Sequence, residues 1–330
     1  MFKNMFFPGA EKKYFYRQIS TLLLAGFSLS GALEHMDKNL SCLPAGVMSS
    51  LKKDIAEGKT LACAMAIFVP GVFTHFERGV VEAGEASGNL PESLARLAEN
   101  FEFLSSVRSR VVAGLAYPVI LLHLGVVIPA VPLLFTLGIG PFLLRVLPFL
   151  AVLYGLLFGA IFLYRMSNRS ILLSESRDRM LLSVPYLGKF IHKIEVIRFL
   201  HSFVALYIAG VGIARAVELA GETTGNTFIR QDIKSLIPLL KRGEKLSDVL
   251  SGRGWVPGVV CDMIKTGEVS GTMDETLDRV SLYLKEETDS AVEKFLKILP
   301  VAAYLVVAVY IGYIVISFFS GYLKLINSFF

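Results

Sequence analysis

A stretch of fourteen residues that occurs twice constrains this chain more than any other feature. Residues 84–97 read Gly-Glu-Ala-Ser-Gly-Asn-Leu-Pro-Glu-Ser-Leu-Ala-Arg-Leu, and residues 267–280 read Gly-Glu-Val-Ser-Gly-Thr-Met-Asp-Glu-Thr-Leu-Asp-Arg-Val. Half the positions are identical, and most of the others exchange like for like. A repeat at so long a period means a duplicated domain, not a solenoid of short units.

Each copy reads as the turn and second arm of a helical hairpin. Gly84 and Gly267 are expected to supply the left-handed residue at a helix C-terminus. Asn89-x-x-Glu92 and Thr272-x-x-Glu275 read as capping boxes at the start of the next helix. Leu90, Leu94, Leu97, Phe101 and Leu104 recur at helical spacing, as do Met273, Leu277, Val280 and Leu284. Glu92 and Arg96, like Glu275 and Arg279, stand in the order that favours an i,i+4 ion pair, each contributing roughly 0.2–0.5 kcal/mol. The candidate residues are therefore Gly84, Glu85, Ser87, Gly88, Glu92 and Arg96, with Gly267, Glu268, Ser270, Gly271, Glu275 and Arg279. They read as structural first and partner-docking second. Glu85 and Glu268 precede a helix start, where an anion is favoured and backbone N–H groups of the turn lie within reach.

Other positions repeat with the motif. Ala25-Gly26 answers to Ala209-Gly210, and Leu33-Glu34 to Val217-Glu218. Pro44 and Gly46 mark a loop before a helix expected over 47–56. Phe68-Val69-Pro70-Gly71 matches Trp255-Val256-Pro257-Gly258, and each Pro-Gly pair is expected to start the helix that runs into the motif. The first copy is four residues longer between that proline and the motif. Gly58-Lys59-Thr60 imitates the end of a P-loop, but Lys53 stands where the first glycine is needed and no strand precedes it. The second copy has Gly243-Glu244-Lys245 there, so both read as turns between helices. Nothing reads as a strand.

The composition changes after Arg108 and Arg110. Residues 117–138 contain no acid, Lys or Arg. They suffice to cross a hydrocarbon core of about 30 Å as a helix. Pro118, Pro129 and Pro132 would kink it, which membrane helices tolerate. A turn at Gly138-Ile139-Gly140-Pro141 leads to a second span over 142–164, with Arg145 near enough to the turn to snorkel outward. A third span covers 299–320, after Lys294 and Lys297. Tyr117-Pro118 and Leu299-Pro300 sit equivalently at the starts of the first and third. Arg165, Arg169, Arg177 and Arg179, with Arg108 and Arg110, place both flanks of the hairpin in the cytoplasm and the C-terminus outside. A mean hydropathy of +0.59 beside 18% charged residues fits soluble domains attached to membrane helices.

The expected fold is therefore all-α: a polytopic membrane protein with two homologous cytoplasmic helical bundles and three transmembrane helices. Its parts are a short N-terminal segment (1–13), the first bundle (14–113), a transmembrane hairpin (114–164), the second bundle (165–297), the third span (298–320) and a short outer tail (321–330). Residues 1–13 carry no apolar core long enough for a cleavable signal peptide.

The doubled Gly-Glu-x-Ser-Gly, each copy followed by an amphipathic helix and an apolar span, resembles the type II secretion system protein F family. That family includes the type IV pilus inner-membrane platform proteins, and the match covers about residues 14–320. The resemblance implies a multi-pass protein of the bacterial inner membrane, with its repeats in the cytoplasm. It implies coupling of an assembly ATPase to pseudopilin or pilin subunits, contact with other inner-membrane secretion subunits and with lipid, and a homo-oligomer. Members usually carry a longer extension before the first repeat, and Gly114 departs from the residue the family favours three before Tyr117-Pro118.

Chemistry finds little footing. The three cysteines, Cys42, Cys63 and Cys261, match neither a zinc site nor a redox pair. The histidines His35, His75, His123, His192 and His201 are scattered. His123 is the exception, because it lies inside the first span; with no acidic partner in the neighbouring spans it reads as a neutral packing residue. Glu82, Glu85 and Glu268 form no cation-binding pattern. No enzyme, cofactor or metal is expected, and the net charge of +5 suits cytoplasmic membrane flanks better than a nucleic-acid groove. A small transporter or ion-coupled carrier is the alternative, since transporters are often duplicated; few ionisable residues in three spans speak against it.

Overall fold

The computed structural model describes residues 10–39, 43–167 and 186–327. Cys42, Arg169, Arg177 and Arg179 lie outside the described residues. Those described are helical and include no β-strand. The first copy contributes α1 (Ala10–Leu24), α2 (Leu29–Asn39), α3 (Ala45–Ala56), α4 (Leu61–Ala66), α5 (His75–Ala86) and the start of α6 (Leu90–Val127). A short 3-10 turn at Ile128–Ala130 leads to α7 (Val131–Leu137) and α8 (Ile139–Ser167). The second copy contributes α9 (Leu187–Ile208), α10 (Ile213–Glu222), α11 (Thr227–Lys241), α12 (Leu246–Ser251), α13 (Gly258–Ser270) and the start of α14 (Met273–Asn327). Six helices thus answer to six, in the same order.

The turns match as closely as the helices. Gly26 and Gly210 have φ of 89° and 92°, and Gly58 and Gly243 have 84° and 87°. Each ends a helix in a Schellman motif. Phe27 N donates to Leu22 O and Val211 N to Leu206 O, both at 3.0 Å, in the loops after α1 and α9. After α3 and α11, Lys59 N donates to Asp54 O at 3.0 Å and Glu244 N to Leu239 O at 3.3 Å. Glycine is required there because an L side chain is strained at such φ.

The chain divides into two compact units. The first comprises Met1–Arg108 and Asp178–Ala291, and the second Ser109–Arg177 and Val292–Phe330. Within the first unit one apolar core runs through both copies, from Phe15, Phe73 and Leu94 to Phe199, Ile233 and Leu277. The copies meet where α5 packs on α9 and α10. A Cβ on Gly79 would stand 2.5 Å from the Leu219 methyl, so only glycine allows that approach. His201 of α9 stacks on Phe103 of α6 at 4.5 Å between ring centroids.

Pro257 caps and starts α13, as its Pro-Gly pair predicts. Pro70-Gly71 does not start α5. That helix begins at His75 behind Thr74, whose hydroxyl and Glu77 complete a capping box. Thr74 and Pro257 lie equally far before Gly84 and Gly267, so the four extra residues of the first copy fall in the turn that precedes Thr74.

The second unit is apolar. Two helical stretches, Leu90–Thr136 and Met273–Ser317, are long and apolar enough to cross a membrane, while the described apolar part of α8, Ile139–Gly155, is shorter. Helix α6 continues through Pro118 and α14 through Pro300. The two helices touch at glycines. A Cβ on Gly125 would stand 2.6 Å from Val307, and one on Gly114 would overlap Leu296. Gly114 therefore serves close helix contact, a common use of small residues between membrane helices.

Candidate functional site

The repeated motif builds the same device twice. Helices α4 and α12 are six residues each, too short to persist alone. Their first backbone N–H groups lack intrahelical acceptors. Glu85, inside α5, supplies them: Leu61 N donates to Oε1 at 2.6 Å and Ala62 N to Oε2 at 3.0 Å. Glu268, inside α13, does the same for Leu246 N at 2.7 Å and Ser247 N at 3.2 Å, and also accepts from Ser247 Oγ at 2.5 Å. Each carboxylate thus caps a neighbouring helix some twenty residues earlier in the chain. It does not reach N–H groups of its own turn, as its place before a helix start suggested.

The glycines divide their work differently from the sequence expectation. Gly84 and Gly267 are not the left-handed residues; both lie within helices. Gly88 and Gly271 have φ of 72° and 73° and make the turns. In the first copy Gly88 N donates to Glu85 O at 3.2 Å and Asn89 N to Gly84 O at 2.8 Å, again a Schellman motif. Gly84 instead allows α5 to approach α6: a Cβ there would stand 2.5 Å from Ser93 Oγ and 2.6 Å from Ser93 Cβ. A Cβ on Gly267 would stand 2.8 Å from Thr276 Oγ1 and 2.9 Å from its Cβ. Each motif therefore holds three helices by one glycine contact, one glycine turn and one carboxylate.

The remaining motif residues are less engaged. Ser87 Oγ donates to Gly84 O at 3.4 Å, and Ser270 Oγ to Thr266 O at 2.8 Å. The expected capping boxes do not form: the Thr272 hydroxyl pairs with Ser270 Oγ at 2.6 Å, and neither Glu92 nor Glu275 returns a hydrogen bond to its cap among the described residues. The expected i,i+4 ion pairs are also absent among the described residues. Arg96 turns from Glu92 to Asp278 at 3.3 Å and Glu99 at 3.8 Å, tying α6 to α14. At Arg96, carboxylates on the next turn and on the neighbouring helix win over the weak local pairing.

A buried polar cluster escaped the sequence reading. Glu77 is fully buried at the third position of α5. It accepts from Lys12 Nζ at 2.7 Å, from Tyr16 Oη at 2.6 Å and from Thr74 N at 3.1 Å. Lys12 also lies over the rings of Phe73 and Phe101. Burial, reinforced by the Glu77 charge and hydrogen bond, pushes the Tyr16 hydroxyl well above the usual phenol range. Thr74-x-x-Glu77 was a legible capping signal, but its partners on α1 are distant in sequence. The second unexpected pair is Glu195 with Arg198, both buried, at 3.1 Å, where Glu195 also accepts from Gly225 N at 2.5 Å.

The membrane-segment residues are placed as follows. His123 Nδ1 lies 2.7 Å from Val119 O, and Nε2 lies 2.6 Å from Tyr154 Oη. A carbonyl can only accept, so Nδ1 carries a proton, and the contact with Tyr154 joins α6 to α8. Arg145 lies over the Tyr313 ring of α14 at 5.3 Å.

Lys59 is held by Asp54 at 2.6 Å and Glu57 at 3.1 Å, and these hydrogen bonds raise its ammonium pKa. A phosphate at that turn would have to displace two carboxylates. No group of three His, Cys, Asp or Glu suited to a metal occurs among the described residues. Cys63 is exposed and Cys261 buried, and both are free thiols.

Comparison with known proteins follows the duplication. The family described as type II secretion system (T2SS), protein F matches residues 15–138 and again 199–321, more than half of the chain. A type 4 fimbrial assembly protein PilC of Pseudomonas putida is 28% identical, over 90% of this chain and 79% of its own length. A type II secretion system protein F of Pseudomonas aeruginosa is also 28% identical, over 84% of this chain and 73% of its own. A type IV pilus assembly protein PilC of Thermus thermophilus is 26% identical, over 95% and 82%.

Proposed function

We propose that this chain, which belongs to the type II secretion system protein F family, is the inner-membrane platform of a type II secretion or type IV pilus machine. Its two helical repeats would lie in the cytoplasm and pass the work of a separate assembly ATPase to pseudopilin or pilin subunits in the membrane. The observation that carries this reading is the pairing of a duplicated bundle with helices long and apolar enough to cross a bilayer. A Lys59 engaged by Asp54 and Glu57 agrees with nucleotide chemistry residing in another subunit.

The topology proposed with it has three spans. Bundles over 14–113 and 165–297 face the cytoplasm, the turn at Gly138–Pro141 and the tail face outward, and the protein works as a homo-oligomer beside other inner-membrane subunits. Arginines flanking the hairpin support this orientation. Two measurements test the proposal. The full chain in detergent should retain a secretion or pilus-assembly ATPase of the same organism and hydrolyse no ATP alone. A cysteine at Lys59 should resist an impermeant thiol reagent in intact cells, and its labelling would overturn the topology.

A further inference from the structure

The second unit holds a cation among apolar side chains, with no anion beside it among the described residues. Arg145 lies early in α8, its guanidinium carbon 5.3 Å from the centre of the Tyr313 ring. Its Nε is buried without a hydrogen-bond partner, and no carboxylate pairs with it among the described residues. Tyr310, one turn before Tyr313 on α14, is only 5% exposed, and its hydroxyl is also buried without a partner. The ring of Tyr310 is fixed against Phe149 at 4.5 Å and packs with Val146, both on α8 beside Arg145.

Two polar groups lacking partners in apolar surroundings are costly, and an ionisable residue in a membrane segment marks a functional position. The chemistry complementary to a guanidinium and a phenol hydroxyl is an acceptor carrying negative charge. The surroundings narrow its chemistry. Leu144, next to Arg145, is 77% exposed, and Ile316, one turn beyond Tyr313, is 71% exposed. A free anion or an acidic peptide gains nothing from such neighbours. A molecule with an anionic head and apolar tails uses both. Arg145 is six residues into α8, about 9 Å along the axis, which suits the border of a hydrocarbon core about 30 Å thick better than its centre.

We propose that Arg145, Tyr310 and Tyr313 form a binding site for the phosphodiester of an anionic phospholipid, whose acyl chains lie over Leu144 and Ile316. The guanidinium and the Tyr310 hydroxyl are the donors, and the Tyr313 ring holds the guanidinium in place. Hydrogen bonds from a guanidinium to phosphate are charge-assisted and geometrically specific. The site rests on the reading that the second unit lies in the membrane, but nothing in the platform role requires it.

The full chain, purified in neutral detergent, is mixed with phosphatidylglycerol, phosphatidylcholine or glycerol phosphate. Retained lipid is read by native mass spectrometry and stability by melting temperature. The wild type should retain phosphatidylglycerol and melt several degrees higher with it, and respond little to the other two. Arg145→Gln should weaken phosphatidylglycerol binding about tenfold with melting in detergent alone unchanged, and Tyr310→Phe should weaken it less. Undiminished binding by Arg145→Gln would mean that the guanidinium only reaches water, and would overturn the site. Equal responses to phosphatidylcholine, or a full response to glycerol phosphate, would overturn the lipid assignment. Vesicle flotation separates the two readings: a chain that stays soluble without detergent sinks the membrane placement itself, while one that floats equally with either headgroup sinks only the site.

Discussion

The two helical copies share their geometry and differ in what they bury. The carboxylate cap, the close glycine contact and the left-handed glycine recur at Glu85, Gly84 and Gly88 and at Glu268, Gly267 and Gly271. The Glu77 cluster does not recur. Counted back from Gly26 and Gly210, Lys12 and Tyr16 fall opposite Val196 and Leu200; counted back from Gly84 and Gly267, Glu77 falls opposite Val260. All three counterparts are buried and apolar. The same bundle thus accepts either a buried ion pair or aliphatic packing at one place, whereas both copies keep the cap. The cap belongs to the fold, whereas the Glu77 cluster belongs to the first copy; the second buries its own pair, Glu195 with Arg198, elsewhere in the bundle.

That contrast is broken most sharply at Glu77. Removing one partner of a buried pair strands the other, so Glu77→Ala should destabilise the first unit by about 3–5 kcal/mol. Val260→Ala should cost less, on the order of 1–3 kcal/mol, since no charge is stranded. Converting the first copy to the second, with Lys12→Val, Tyr16→Leu and Glu77→Val together, should restore most of the loss. Chemical denaturation of the purified chain reads all three, and a triple variant as unstable as Glu77→Ala would contradict the equivalence of the two cores.

The glycine contacts come next. Gly84→Ala and Gly267→Ala should each lose about 1–3 kcal/mol by overpacking. Gly84→Ala should lose more, because its nearest atoms stand closer, and Ser93→Gly should relieve it. Equal losses, or no relief, would show that the helices simply move apart.

A titration separates the copies by a smaller amount. Burial first, and then the Arg96 charge, hold the His201 pKa down at about 4, against an ordinary 6.5. Between those values the unfolded chain takes a proton that the folded chain refuses. Stability is therefore complete above about pH 6.5 and falls by at most about 3 kcal/mol as pH drops toward 4. His201→Phe, which keeps the stack on Phe103, should flatten that part of the melting-temperature profile. A profile unchanged by the substitution would assign the acid sensitivity elsewhere.

The smallest effect is the one the copies share. Glu85→Gln and Glu268→Gln each keep an acceptor but lose its charge, and should cost about 0.5–2 kcal/mol. Glu268→Gln should cost more, because it also weakens the bond from Ser247. Unchanged melting with lost ATPase retention at either site would make that carboxylate a docking residue instead.

Local signals carried much of this. Ala25-Gly26 and Ala209-Gly210 marked equivalent positions in the two copies, and each proves a helix end because a left-handed glycine acts within its own turn. The motif showed that two helices meet, but Gly84 and Gly88 are both glycines four residues apart. Which one turns and which one touches depends on Ser93, a contact across helices. Glu85 was legible as an anion at a helix start, yet its acceptor role concerns α4, whose position only the folded bundle fixes. Glu77 was least legible, because its burial depends on Lys12 and Tyr16, more than sixty residues away.

The brevity of α4 and α12 has a consequence for the order in which the bundle assembles. A helix of six residues cannot nucleate on its own, since its first turn fixes several residues for a single bond. Each can only condense onto a hairpin that already presents its glutamate. The amides of Leu61 and Ala62, and of Leu246 and Ser247, therefore report on a hairpin some twenty residues downstream. In a hydrogen-exchange experiment they should open and close in step with α5 and α13, so that four protons in two short helices follow the integrity of both halves of the duplication.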